Sequence, residues 1–307
     1  MRVAAVIANW NGGEENLDCL RSLAAHGFAE SDIVFVDNGS SDGSLERVLA
    51  EFPRISAIRN AANLGFGEAS NQGAQLALER GAEAVFFVNN DVVLPADTLA
   101  RLVRELEQDA RLGIVGPRVL YRDDPARVWA AGGMLTWREN LSTLVGHGEL
   151  DAPEFRAARD VDYVAGCALL ATRVCLLKVG LFDAAYFAYM EDVDLCLRAK
   201  AAGFGVRMVG EVSVLHATSS ATGGGYNPRR KWMMGVNSIW FLRRHARAPQ
   251  WGRFVAYDIA PLPFLWIAGL FRGRAKAVAA KGLGIVDGMR GKRVTADAIR
   301  EGAGWLW

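Results

Sequence analysis

Three apolar runs in this 307-residue chain end in amide and carboxylate side chains: Asn9-Trp10-Asn11, Asp37-Asn38-Gly39 and Asn89-Asn90-Asp91. The last is the most demanding, because "AVFFV" (84–88) reads as a buried strand and a buried carboxylate is costly unless something positive meets it. A turn accounts for Asn and Asp on its own terms. So does a divalent cation bridging Asp91 to a diphosphate, since Mg2+ and Mn2+ take oxygen ligands and are often held by one or two carboxylates plus phosphate. Asn63-Leu64-Gly65-Phe66-Gly67, with Asn71 beyond, is a glycine-containing turn whose backbone N–H groups can approach an anion at a helix N-terminus. Further along, "YMEDVDLCLR" gathers Glu191, Asp192 and Asp194 at a helix start. Acids there offset the macrodipole. Crowded acids beside apolar "YFAYM" also resist desolvation, which raises at least one pKa as a general base requires. His216, closing "VSVLH", fits a core histidine. If the sheet carries it to Asp91, its neutral imidazole completes a metal's shell.

The elements that must position these groups follow from periodicity. "VAAVIA" (3–8), "IVFVD" (33–37) and 84–88 read as buried strands, with "ISAI" (55–58) a weaker fourth. Leu45, Val48, Leu49 and Phe52 recur at helical spacing behind Ser41-Asp42-Gly43-Ser44, an N-cap signal. Further helices are expected after Gly67 and over about 97–108. This strand–helix alternation predicts right-handed crossovers and a mostly parallel sheet, with ligands beyond the carboxyl ends of the strands. Between 113 and 228, "GIVGPRVLY" and "VDYVAGCALLATR" read as strands, 191–203 as a helix closed by Gly203, and then come "FGVRMVG" and "VSVLHATSSATGGG" as separate segments.

The composition is that of an ordinary globular protein, 51% hydrophobic and 22% charged. Cys19, Cys167, Cys175 and Cys196 lack metal-binding spacing and read as reduced core residues. "MRVAAVIANW" looks like a first strand and not a signal peptide. The net charge of +1 conceals a division: residues 229–307 carry fifteen Lys/Arg against four Asp/Glu and six of the nine tryptophans. That tail points to an anionic partner, most simply a membrane surface. "FVAYDIAPLPFLWIAGLF" (254–271) has one charge and two prolines, which favours a segment lying in the interface over one that spans it. Nucleic-acid binding is not expected, because the basic residues are mixed with long apolar runs.

Taken in order, Asn9-Trp10-Asn11, "VDNGSSDGS", "NLGFGEASNQG", "NNDV", "MEDVDLCLRAKAAGF" and His216 resemble family 2 glycosyltransferases, closest to the rhamnosyltransferase-like branch, over about 1–225. The resemblance implies an α/β fold of the GT-A type and inverting, metal-dependent transfer from a nucleoside-diphosphate sugar. Carried over residue by residue, it implies that Asn9, Asn11 and Asp37, with Asn38 nearby, contact the nucleobase and ribose. Asn63, Gly65, Phe66 and Asn71 would shape the diphosphate and sugar pocket. Asn89-Asn90-Asp91 takes the place of the DXD motif, with Asp91 and His216 as ligands to Mg2+ or Mn2+. Asp192 would be the base that deprotonates the acceptor hydroxyl, supported by Glu191. Asn89 replaces the motif's first carboxylate, which weakens metal binding in the absence of substrate.

The implied organisation is a GT-A domain over 1–228, with a nucleotide-binding half (1–112) and an acceptor-binding half (113–228), and a basic helical segment over 229–307. The Ser/Thr/Gly stretch 218–225, with Arg229-Arg230-Lys231, is a candidate lid over the diphosphate. The expected partners are a sugar-nucleotide donor, a glycan or polyprenyl-diphosphate-linked acceptor, and the cytoplasmic face of the inner membrane through 254–307. Oligomeric state is open, a homodimer included. Transfer from a UDP-hexose, UDP-N-acetylhexosamine or UDP-galactofuranose is an alternative of the same kind. A nucleotidyltransferase fits less well, because "NWNGGEENL" lacks Lys and Arg; a non-catalytic sugar-nucleotide binder is a further alternative.

Overall fold

The computed structural model describes residues 1–217, 226–300, 302–304 and 306–307. The candidate lid 218–225 lies outside the described residues. The chain divides into two units: Met1–Met134, Leu144–Ala184 and Asp192–Thr218 form the first, and Leu135–Thr143, Ala185–Glu191 and Ser219–Trp307 the second.

The first unit begins with strands β1 (Val3–Asn9), β2 (Ile33–Asp37), β3 (Ser56–Arg59) and β4 (Ala84–Val88). Helices α1 (Glu15–Ala25), α2 (Ser44–Glu51) and α3 (Phe66–Glu79) connect them. The register sets Asn9 opposite Asp37 and Val6 opposite both Val34 and Phe87, all in parallel pairs. Phe35, Phe86 and Phe87 are fully buried, as continuous apolar runs require when both faces of a sheet are covered. Gly73 lets α3 lie close to the sheet, since a Cβ there would meet Val6 at 2.5 Å.

The chain continues through β5 (Val92–Val93), α4 (Thr98–Gln108), β6 (Leu112–Tyr121), β7 (Val128–Ala130), β8 (Gly133–Leu135), β9 (Ser142–Leu144) and β10 (Arg159–Asp160). It then forms β11 (Ala168–Thr172), α5 (Arg173–Val179), α6 (Glu191–Ala201) and β12 (Gly205–His216). The main sheet has the order β10-β12-β6-β11-β4-β1-β2-β3, with β5 on β12 and β7 on β6; β8 and β9 pair separately. β11 is antiparallel to both its neighbours and β12 is parallel to β6. Among the described residues, six strands including the longest therefore run one way, and the sheet is mostly parallel.

Two details depart from the sequence reading. "VDYVAGCALLATR" is a strand only from Ala168, because the backbones of Gly166 and Cys167 are bonded to groups at the sheet edge, Asp192 and Asn89. "FGVRMVG" and "VSVLH" are one strand, β12, with a bulge between Val209 and Ser213 that shifts its register on β6. Beyond that bulge His216 pairs with Val92 of β5.

The second unit contains α7 (Pro228–His245), α8 (Ala248–Phe254), α9 (Leu262–Leu270), α10 (Ala275–Met289) and α11 (Ala296–Ile299). Glycines let α7 and α10 touch backbone to backbone: a Cβ at Gly284 would meet Trp232 O at 2.2 Å, and one at Gly235 would meet Lys281 O at 2.5 Å. Between α8 and α9, Val255–Ile259 widens into a π turn. The extra residue turns Asp258 inward, where it pairs with buried Lys281 and accepts a hydrogen bond from Asn140 N at 3.1 Å. The single charge of the apolar stretch is thus spent inside the unit. Val255, Tyr257, Phe264, Leu265, Trp266, Ile267, Leu270 and Phe271 are exposed around it. Ala248–Leu270 is a 23-residue helical run containing an 18-residue stretch of mean hydropathy 1.2, long and apolar enough to cross a membrane by length and composition.

Candidate active site

The carboxyl ends of β1, β2 and β4 meet through one side chain. Asn9 has no exposed surface. Its Nδ2 donates to Asp37 Oδ1 (3.0 Å), Ser40 Oγ (3.1 Å) and Ser44 Oγ (2.8 Å). Its Oδ1 accepts from Gly12 N (3.1 Å) and Asn90 Nδ2 (3.0 Å). A carboxylate can only accept, so Asp37 fixes which end of the amide is nitrogen. Asn9 therefore holds the loops after three strands and aims Asp37, which also accepts from Ser40 N. Asn11 sits outside this hub, exposed and left-handed at φ 52°, with its oxygen accepting from Ser41 N.

Asn38 builds the neighbouring turn. Its Nδ2 donates to Asn63 Oδ1 and Gly65 O, and its Oδ1 accepts from Asn60 Nδ2 and Leu64 N. Gly65 has φ 91°, a conformation suited to glycine, and its N–H donates to Asn63 Oδ1. Asn71 makes a reciprocal pair with the Phe182 backbone at 2.9 and 3.0 Å, so its amide is spent on protein. Phe66 packs against the Phe182 ring, 5.7 Å between centroids.

Asp91 and His216 are brought together, as the ladder from β5 to β12 requires. His216 Nε2 lies 3.2 Å from Asp91 Oδ1. Both residues are buried, yet among the described residues Asp91 Oδ1 and His216 Nδ1 have no hydrogen-bond partner. The Trp129 ring meets His216 edge-on at 4.9 Å and 82°, and His147 Nδ1 lies 2.8 Å from Trp129 O. Asn89 reaches the same edge through its backbone, donating N–H to Cys167 O at 2.9 Å.

Next to Cys167, Gly166 N donates to Asp192 Oδ2 at 2.9 Å, and Val193 N donates to Asp192 Oδ1 at 2.8 Å. Burial nevertheless dominates and raises the Asp192 pKa above the usual carboxylate range. The Cys167 thiol is pushed well up by burial and then by the charges of Asp91 and Asp192, so it feels both carboxylates. Asp194 is different: it is fully buried but paired with Arg198 Nε at 2.7 Å, a structural bond. Glu191 is buried and belongs to the second unit. All four cysteines are free and buried, as their spacing implied.

A family description, "Glycosyltransferase like family 2", matches residues 1–235. The chain belongs to glycosyltransferase family 2. It is 30% identical over 213 residues to an N-acetylglucosaminyl-diphospho-decaprenol L-rhamnosyltransferase of Mycobacterium tuberculosis, covering 62% of this chain and 68% of the relative. A mannosyltransferase from Pyrobaculum calidifontis, solved with GDP-Man and Mn2+, is similar with TM-score 0.58 at 16% identity over 95% of this chain and 88% of that one. GalNAc-T7, solved with UDP, GalNAc and Mn2+, gives TM-score 0.58 at 15% identity over 78% of this chain and 51% of that one. These structural likenesses show the fold, a GT-A-like α/β architecture with a C-terminal helical segment.

In this family 2 glycosyltransferase Asp91 Oδ1 and His216 Nε2, buried and 3.2 Å apart, are an oxygen and nitrogen donor pair of the kind a divalent metal takes, and among the described residues no third His, Cys, Asp or Glu joins them. Several contributors escaped the sequence reading. Ser44 reads there as a cap residue and Ser40 only as part of "VDNGSSDGS", and their convergence on Asn9 depends on contacts from another strand end. Gly12 enters there only within "NWNGGEENL", as part of a stretch without Lys or Arg. Trp129, Gly166 and Cys167 lie in stretches without any motif. A cavity of about 500 Å3 lined by Arg111, Asp160, Lys200 and Arg207 opens at the opposite, amino end of β6 and β12.

Proposed function

We propose that this family 2 glycosyltransferase moves a sugar from a nucleoside diphosphate to a hydroxyl of a glycan or lipid-linked glycan, with inversion. Its M. tuberculosis relative, an L-rhamnosyltransferase, favours L-rhamnose as the sugar, and dTDP-rhamnose is the donor proposed here. One observation carries the reading: the sheet edge holds buried Asp91 with its Oδ1 3.2 Å from His216 Nε2, and Cys167 beside them feels both Asp91 and the raised-pKa carboxylate Asp192.

Asp37, aimed by Asn9, receives the nucleoside together with Asn11 and Asn38. The turn Asn63–Phe66, with Asn71 behind it and Asn89 and Asn90 beside it, shapes the diphosphate and sugar pocket. Asp91 and His216 would hold Mg2+ or Mn2+, which would supply positive charge opposite the departing diphosphate. Asp192 accepts the proton of the acceptor hydroxyl as its oxygen bonds to the anomeric carbon, and the sugar–phosphate bond breaks on the other face. Glu191 supports Asp192. Residues 1–228 form the catalytic domain, with 1–112 binding the donor and 113–228 the acceptor.

The segment 229–307 attaches the enzyme to the cytoplasmic face of a membrane. The exposed apolar side chains of 255–271 are flanked by exposed Arg253, Arg272, Arg274 and Lys276, a combination suited to anionic headgroups.

The test is release of nucleoside diphosphate from a panel of sugar nucleotides, with and without Mn2+ or Mg2+. Metal-dependent turnover of one donor, lost in Asp192→Asn when acceptor is present, is expected. No turnover and no binding of any donor would overturn the proposal. Unchanged partitioning onto anionic liposomes after deletion of 254–307 would remove the membrane assignment alone.

A further inference from the structure

The turn that leads into α6 is unusual. Phe187, Tyr189 and Met190 all have left-handed backbone angles, φ 62°, 71° and 78°. L-residues other than glycine avoid that region, and a run of them persists only where the surroundings over-determine it. Here the determinant is one side chain of α7. Asn237 has no exposed surface, and its Nδ2 donates to Tyr186 O (2.9 Å), Ala188 O (2.8 Å) and Tyr189 O (2.9 Å). Two amide hydrogens serve three carbonyls, so one is shared. Three acceptors on one side also fix the orientation of the amide, with nitrogen toward the turn. The Phe187 ring is packed in the same cluster as Trp232, Met233 and Val236 of α7.

We infer that Asn237 is a positioning residue for Asp192. Glu191 opens α6 directly after the turn, and Asp192 is the next residue. The Asp192 side chain accepts from Val193 N within the first turn of α6, so its place depends on where that helix begins. Asn237 fixes that beginning by holding the strained turn through its carbonyls, while Asp192 does the chemistry. The inference rests on the reading of Asp192 as the base.

The test compares Asn237→Ala, Asn237→Ser, Asp192→Asn and the double variant Asp192→Asn/Asn237→Ala in the full chain. The probe is dTDP-L-rhamnose with Mn2+, or the donor that turns over in the panel above. Asn237→Ala is expected to lower kcat roughly 10- to 100-fold, the scale of a misplaced reacting group, with nucleotide affinity unchanged and Asn237→Ser intermediate because it keeps one donor. On the Asp192→Asn background the same change should cost nothing further, since the group it positions is gone. A second readout needs no donor: the pH-dependent stability difference between the wild-type chain and Asp192→Asn, measured from pH 4 to 7, should shrink when both also carry Asn237→Ala. Losses that multiply, a loss confined to nucleotide affinity, or a folded Asn237→Ala with wild-type kcat would overturn the inference. Full activity of Asp192→Asn would instead overturn the base assignment itself, whatever Asn237→Ala does.

Discussion

Gly12→Ala tests the hub at the strand ends directly. A Cβ at position 12 would lie 1.9 Å from Asn90 Nδ2, 2.6 Å from Asn9 Oδ1 and 2.9 Å from Asn16 Nδ2. Gly12 is not left-handed, so the penalty is one of space alone. Asn90 is half-buried and can swing away, at the loss of its bond to Asn9. Asn9 cannot follow, because its nitrogen is held by Asp37, Ser40 and Ser44. Its oxygen then loses the bonds from both Asn90 and Gly12. Two hydrogen bonds at about 1 kcal/mol each, plus an unpaired buried acceptor at about 1–3 kcal/mol, give about 2–4 kcal/mol once partial relaxation is allowed. For a unit of this size that corresponds to a fall in Tm of roughly 5–15 °C. Thermal unfolding followed by circular dichroism measures it, and titration with dTDP or UDP should show at least roughly tenfold weaker binding as Asp37 loosens, about 1.4 kcal/mol. A variant that melts within about 2 °C of wild type, about 0.5–1 kcal/mol on the same scale, and binds nucleotide normally would show that Asn9 is not the hub.

Other perturbations separate the remaining parts. Asp91→Ala should abolish the Mn2+-dependent part of nucleotide binding while leaving the metal-free part intact, read by titration with and without EDTA; equal losses in both would count against a metal role. With Asp192 as the proposed base, transfer would require it ionised, and burial raises its pKa, so activity should fall on acidification at a pH above the ordinary carboxylate range. The stability sign runs the other way: the folded state holds this proton more tightly than the unfolded chain, so stability falls as pH rises from near the unfolded value of 3.8 through the folded value. Asp192→Asn should therefore gain stability relative to wild type between pH 4 and 7, and a gap that does not change with pH would refute the shift. Lys281→Met leaves Asp258 buried and unpaired and should cost about 3–5 kcal/mol in denaturant unfolding, most of it recovered in Lys281→Met/Asp258→Leu.

Much of the architecture was legible because buried parallel strands advertise themselves as unbroken apolar runs, and β1, β2 and β4 begin and end within a residue of their expected limits. β12 was split in two because its bulge over Gly210–Val212 places polar residues in mid-strand, which local reading takes for a break. The strand assigned to 161–167 failed for a different reason. Val161 N donates to Val206 O of β12 and Tyr163 forms an isolated bridge with Gly133 of β8, but no ladder continues: Val164 and Ala165 are simply buried, and the backbone of Gly166 is committed to Asp192. Periodicity records burial, and it cannot tell a strand from a buried connection that serves a site. The Asn9 hub was hidden likewise: each partner is an ordinary turn residue, and only the register of β1 with β2 and β4 makes them converge.

The acids of this chain make the same point in electrostatic terms. Asp37, Asp91, Asp192, Asp194 and Asp258 are indistinguishable as letters, and each has little or only part of its surface open to water. Asp194 and Asp258 are neutralised by Arg198 and Lys281, which makes them fastenings. Asp37 is held by neutral donors, Asn9 and the Ser40 backbone, which orient it without cancelling its charge. Asp192 receives two backbone N–H groups, yet burial prevails and its proton is easier to regain, which suits a group that must take one up. Among the described residues Asp91 Oδ1 makes no hydrogen bond and faces the His216 imidazole. A buried carboxylate in that condition suits the cation proposed above. Chemistry at this sheet edge therefore depends less on which residues are acidic than on which of them the fold has declined to neutralise.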